Sequence, residues 1–129
     1  MEMGNEELRR CIHDYAADKS QINKEKLICA IQNAKFLMPV VVEETEGTDP
    51  LVRFRMLYNK YGLAYFMAFT DPIEMAKCAD GDQKILDVSY EQLKAMALRD
   101  EEHNGGFVID PKGDNLLITL ELMRQFEQC

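Results

Sequence analysis

The chain predicts an α+β domain: a mixed β-sheet of about five to six strands with helices packed on it and a helix pair at the N-terminus. Three observations carry that expectation. Apolar residues recur at helical spacing from Leu8 to Met38. "LVRFRMLYNKYGLAYFMAFT" reads as a hairpin. Beyond it, short apolar runs alternate with two marked helix starts, Asp71-Pro72-Ile73-Glu74 and Ser89-Tyr90-Glu91-Gln92.

Taken in order, Asn5 is placed to cap a first helix with Glu6 and Glu7 in its first turn, and Leu8, Cys11, Ile12 and Tyr15 form its apolar stripe. Asp18-Lys19-Ser20 breaks the pattern. A second helix follows with Leu27, Ile31, Ala34 and Met38 on one stripe, ended by Pro39. The short connection makes the two helices antiparallel neighbours. Val40-Val41-Val42 is β-branched and too short for a helix, so it reads as a strand covered on both faces. Glu43 to Pro50 is an acidic loop.

In the next segment Val52, Phe54, Met56 and Tyr58 alternate with Arg53, Arg55 and Leu57, the period of a half-buried strand. Asn59-Lys60-Tyr61-Gly62 turns the chain, and Leu63 to Phe69 returns as a more apolar strand. Asp71 is suited to cap, with Pro72 at the first helical position, where its missing N–H costs nothing, and Glu74 able to reach back. Ser89 and Gln92 form the same reciprocal box, after a short strand at Ile85-Leu86-Asp87-Val88. That helix turns Leu93, Met96 and Ala97 inward and ends near His103-Asn104-Gly105. Phe107-Val108-Ile109 and Leu116-Leu117-Ile118 are the last strands, and Thr119 caps a final helix carrying Leu122, Met123 and Phe126.

A chain of 129 residues fits one domain, residues 1–129. A domain of that size needs neither a disulfide nor a metal to hold its core. Fifteen basic against 23 acidic residues give a formal charge of −8, which disfavours nucleic acid and anionic lipid as partners. No apolar run approaches the ~20 residues of a membrane span, and the N-terminus lacks the pattern of a secretory signal. The four cysteines form no Cys-x-x-Cys pair and read as free thiols of a reducing cytoplasm.

Candidate chemistry is sparse. In "GFVIDPKGDN", Pro111 fixes one turn dihedral, Gly113 accepts a positive one, and Asp110 and Asn115 are able to bond their own backbone. The carboxylates at Asp110 and Asp114 lack calcium-loop spacing. The segment therefore reads as a bend and not a metal site. Asp100 and His103 share a helix face, but two ligands do not make a metal centre, and His13-Asp14 is no stronger. No nucleophile signature or phosphate-cradling glycine loop occurs. Neither catalytic residue, metal nor cofactor is expected. Arg53 and Arg55 stand apart. Alternating with Phe54 and Met56, they point away from that core pair and are able either to bridge neighbouring carboxylates or to hold an anionic ligand by forked hydrogen bonds.

The succession "LICAIQNAKFLMPVVV", "AYFMAFTDPIEM", "SYEQL" and "GFVIDPKGDNLLI" resembles the N-terminal domain of the SseB family, named for enhanced serine sensitivity, from about Leu8 to Phe126. The Pro-Val after the long helix, the aromatic-Thr-Asp join and the Pro-x-Gly turn carry the likeness. Relatives usually read Asn-Pro where this chain has Asp110-Pro111. The resemblance implies a bacterial, cytoplasmic protein linked to serine tolerance, with no established catalytic residues to carry over. Longer members add a second domain. Both lines of reading lead to a non-catalytic interaction or regulatory module with a protein partner, as monomer or homodimer. The alternative is a small anionic-ligand-binding or enzyme domain using the Arg53/Arg55 face.

Overall fold

A computed structural model describes residues 5–43, 46–47, 49, 51–78 and 84–126. Among them lie α1 (Glu6–Ala17), α2 (Gln21–Asn33), β1 (Lys35–Glu43), β2 (Leu51–Phe54), β3 (Met56–Tyr58), β4 (Ala64–Ala68), α3 (Pro72–Ala76), β5 (Lys84–Ser89), α4 (Tyr90–Arg99), β6 (Asn104–Ile109), β7 (Leu116–Thr119) and α5 (Leu120–Gln125). The fold is α+β, as the sequence predicts, but the strands form two linked sheets. One has the order β2-β1-β5 and the other β3-β4-β6-β7. All pairings are antiparallel except β4 with β6, which are parallel and need the crossover that α3, β5 and α4 supply.

The helices bury their apolar stripes against both sheets. Leu8, Cys11 and Ile12 of α1, Leu27 and Ile31 of α2, Leu93 and Ala97 of α4 and Met123 of α5 join Phe36, Met38, Phe66, Phe107 and Ile109 in one cluster. Phe36 and Tyr90 each pack a ring against Phe107, with centroids 5.7 and 6.4 Å apart. The capping expectations hold for three helices. Asp71 accepts from the Glu74 N–H at 2.8 Å, Thr119 from that of Leu122 at 3.1 Å, and Ser89 and Gln92 complete the reciprocal box. Glu74 does not reach back. Its carboxylate binds Lys77 at 2.8 Å instead.

Other expectations are corrected. The second helix ends at Asn33, not Met38, and Pro39 lies inside β1. From Lys35 to Met38 burial alternates with period two, so "KFLM" packs its Phe and Met into the core as a strand. Pro39 is tolerated there for a local reason. Leu37 exchanges N–H···O bonds with Phe69 at 2.9 and 3.0 Å, so the odd-numbered residues of β1 face that edge. At Pro39 the edge changes from β4 to β2, and only the proline carbonyl is used, by the Arg55 N–H at 3.2 Å. Val41 is exposed, so the valine run is not covered on both faces. Much of the Glu43–Pro50 loop lies outside the described residues.

The expected single strand from Val52 to Tyr58 is divided at Arg55. Its first limb pairs with β1 (Val40↔Phe54, Val42↔Val52) and its second with β4 (Met56↔Phe66, Tyr58↔Ala64). The arm thus bends from one sheet into the other. The Asn59–Gly62 turn closes as expected. Gly62 sits at φ 84°, and the Asn59 carboxamide oxygen accepts from the Tyr61 and Leu63 N–H groups at 2.9 and 3.0 Å.

Candidate functional site

The arm from Leu51 to Gly62 presents the most unusual surface among the described residues. Backbone direction is set at two points. The Arg55 N–H bonds Pro39, and the Asn59 N–H bonds the Leu63 carbonyl at 3.0 Å, so odd-numbered residues turn toward β1 and β4. Val52, Phe54, Met56 and Tyr58 consequently turn their N–H and C=O groups to the other edge, where no described strand pairs with them. Phe54 and Met56 pack on the core, while Leu51, Val52 and Leu57 are exposed. Tyr58 and Tyr61 leave 70% and 79% of their surface in solvent. The Lys60 ammonium lies 5.2 Å from the Tyr61 ring centre.

Arg53 and Arg55 part company here. The Arg53 Nε lies 3.3 Å from Glu43 Oε1, a diagonal pair across β1 and β2. Arg55 is half-buried, and its guanidinium has no ion pair or side-chain hydrogen bond among the described residues. One of the two expected anion ligands is therefore engaged by a carboxylate of the chain, and the other is not.

The "GFVIDPKGDN" segment is a bend with a larger structural role than its own turn. Asp110 is buried at φ 49°, and its carboxylate accepts from the Thr70 N–H at 2.9 Å and the Thr70 hydroxyl at 2.6 Å. Its backbone N–H bonds Ala68, and its carbonyl accepts from Gly113 and Asn115 at 2.8 and 2.9 Å. The side chain thus clamps the end of β4 to the end of β6 instead of bonding its own backbone. Positive φ falls on Asp110 and Asn115 (53°), not on Gly113. Gly113 is required for space, since a Cβ there would lie 2.4 Å from Glu74 Oε1. Burial raises the Asp110 carboxyl above its usual range, and Glu74 and Asp71 add to this, although the Thr70 hydrogen bonds oppose it.

Further polar contacts tie the same end of the molecule to α1. Asn5 stands at the N-cap position without capping. Its carboxamide N–H₂ bonds the Lys35 carbonyl at 2.6 Å and the Thr70 carbonyl at 2.9 Å. Arg9 pairs with Asp71, and His13 Nε2 lies 3.0 Å from Asp114 Oδ1. Asp100 and His103 meet at 2.9 Å on the surface, but in the turn that follows α4 and not on a shared helix face, because the helix ends at Arg99. Among the described residues no group of three or more His, Cys, Asp or Glu side chains is arranged to hold a metal.

A groove of about 420 Å³ between α1 and α2 is lined by Glu7, Leu8, Lys26, Cys29, Ala30 and Asn33. Its lining mixes the charged and amide side chains of Glu7, Glu25, Lys26 and Asn33 with apolar ones. Cys11 and Cys78 are free, whereas Cys29 is disulfide-bonded, which corrects the expectation of four free thiols. Cysteine spacing carries no signal for that bond, because bridging depends on tertiary approach and not on sequence distance. The arm's open edge was equally silent, since one strand paired with two different partners reads in the sequence as one continuous alternation.

No helix among the described residues is long and apolar enough to cross a membrane. No curated protein and no solved structure is found to match the chain. The family model described as the SseB protein N-terminal domain matches residues 8–125, nearly the whole length. With the two-sheet α+β core and the turn at Asp110-Pro111 in place, the chain belongs to the SseB family.

Proposed function

We propose that this SseB domain is a non-catalytic interaction module with a regulatory role, and that it docks a protein partner on the arm from Leu51 to Gly62. The observation that carries this is the arm's exposure: a sheet edge that no described strand pairs, flanked by Leu51, Val52, Leu57, Tyr58 and Tyr61. Unpaired edges with apolar flanks are pairing templates, and tyrosine is enriched where proteins meet. The cytoplasmic setting expected for the family has the Cys29 disulfide against it, and a thiol count decides between them.

The test is affinity purification of the tagged protein from its native host, beside the variant Leu57→Ser/Tyr58→Ser. A partner recovered with the native chain and lost with the variant supports the arm. Recovery of the same proteins at the same yield with both removes it. The rival reading, an anionic small ligand held by Arg53 and Arg55, is examined by a thermal-shift screen of anionic metabolites, serine included. A dose-dependent rise in melting temperature that vanishes in Arg53→Ala/Arg55→Ala would replace the interaction reading by that one.

A further inference from the structure

We propose that the segment docked on the arm is an extended stretch of a protein partner carrying several carboxylates, added as a strand along Val52–Tyr58. This rests on the arm being the docking element and goes further in naming the chemistry of what docks. The first ground is charge. The chain is acidic overall, yet it contains no Asp or Glu between Asp49 and Asp71, while Arg53, Arg55 and Lys60 all fall there. Glu43 offsets Arg53, and Arg55 has no counter-ion among the described residues. A positive strip on a molecule of charge −8 favours a negatively charged segment and disfavours a basic one.

The second ground is backbone geometry. Outward-facing N–H and C=O groups at Val52, Phe54, Met56 and Tyr58 repeat every second residue, the spacing another strand reads. A partner side chain on one face of an added strand meets Leu51, Arg53 or Leu57, and on the other meets Val52 or Tyr58. Alternating apolar and acidic residues match this surface. The bend at Arg55 divides the edge into limbs of four and three residues, so the partner strand needs a flexible residue opposite the bend. Nucleic acid also presents negative charge, but three basic side chains on a chain of charge −8 give it little phosphate attraction, and the regular amide edge has no use for a sugar-phosphate backbone.

The experiment uses the full chain and three probes: a nine-residue peptide alternating Val and Glu with Gly at its centre, the same peptide with Lys for Glu, and an oligothymidylate. Binding is followed by amide chemical-shift changes and by titration at 50 and 500 mM salt. The Glu peptide is expected to bind, with shifts centred on residues 51–62, and to weaken roughly tenfold at high salt and in Arg53→Gln/Arg55→Gln. Arg53→Glu/Arg55→Glu should transfer preference to the Lys peptide, and the Gln pair keeps the test open if the Glu pair does not fold. Equal binding of the Glu and Lys peptides overturns the acidic partner while leaving the arm as a docking strand. Absence of Glu-peptide binding, or shifts lying elsewhere, overturns strand addition. Tighter binding of the oligothymidylate at the arm overturns it in favour of nucleic acid. If Leu57→Ser/Tyr58→Ser keeps its native partner, the arm itself fails, whatever the peptides do.

Discussion

Replacing Asp110 by Ala is expected to remove a large share of this protein's stability, and replacing it by Asn to remove little. The Ala variant leaves the Thr70 N–H and hydroxyl buried without their acceptor, which costs about 1–3 kcal/mol for each group. The left-handed conformation at φ 49° adds little to the difference, since Asp and Ala both carry a Cβ there. The sum is about 2–6 kcal/mol, against a total of ~5–15 kcal/mol for a domain of ordinary stability. Asn keeps the shape, tolerates the left-handed region, and lets its carboxamide oxygen accept from the Thr70 N–H while the hydroxyl turns to accept from its amide.

The two variants also differ with pH. Because burial raises the Asp110 carboxyl in the folded state, its contribution is fully present below the unfolded pKa of ~3.9 and is lost as pH rises through the higher folded value. Asn does not ionise, so the stability of Asp110→Asn relative to the native chain should increase from pH 4 to pH 7. Urea unfolding followed by circular dichroism, at several pH values, measures both effects. An Ala variant within 1 kcal/mol of the native chain, or an Asn variant that gains on it toward acid pH instead, would refute this reasoning.

Gly113→Ala is expected to cost about 0.5–1.5 kcal/mol, because only the end of the Glu74 side chain must move, and a double-mutant cycle with Glu74→Ala should recover most of it. Gly106→Ala is far worse, by more than ~3 kcal/mol, since φ is 127° and the added Cβ would lie 2.1 Å from the Ile118 carbonyl oxygen. Tyr90→Phe should leave stability unchanged or raise it by up to ~1 kcal/mol. Its hydroxyl is buried without a partner among the described residues, and burial, with Glu91, pushes its pKa to about 12. Burial pushes the Asp71 carboxyl up, but the Glu74 N–H and the Arg9 guanidinium outweigh it and hold the group below its usual range. The advantage of the native chain over Asp71→Asn is therefore full above pH ~4 and fades in acid, which chemical denaturation at pH 2.5 and 6 checks. Thiol titration in denaturant should find two of the four cysteines without reductant and all four after reduction; four at the outset would restore the reading of free thiols.

The sequence by itself determined what depends on neighbours along the chain. Caps at Asp71, Ser89 and Thr119 are local hydrogen bonds, set by residue types three positions apart, so they were legible. So were the Asn59–Gly62 turn and the inward stripes of α1 and α4, and the motifs strung between them carried the family. Tertiary structure decided what depends on residues distant in sequence. "KFLMP" has helical neighbours and a helix-ending proline, yet it is strand because Phe69 and Arg55, far along the chain, complete its edge. The arm's alternation showed that it was a strand but not that it bends at Arg55 between two sheets and leaves an edge open. The Arg53/Arg55 pair was visible as a pattern, while Glu43 diagonal to Arg53, and no ion-pair partner for Arg55 among the described residues, were matters of register. At Asp110 the residue types spoke only of a turn. Its buried clasp on Thr70 spans 40 positions, and no local rule reaches that far.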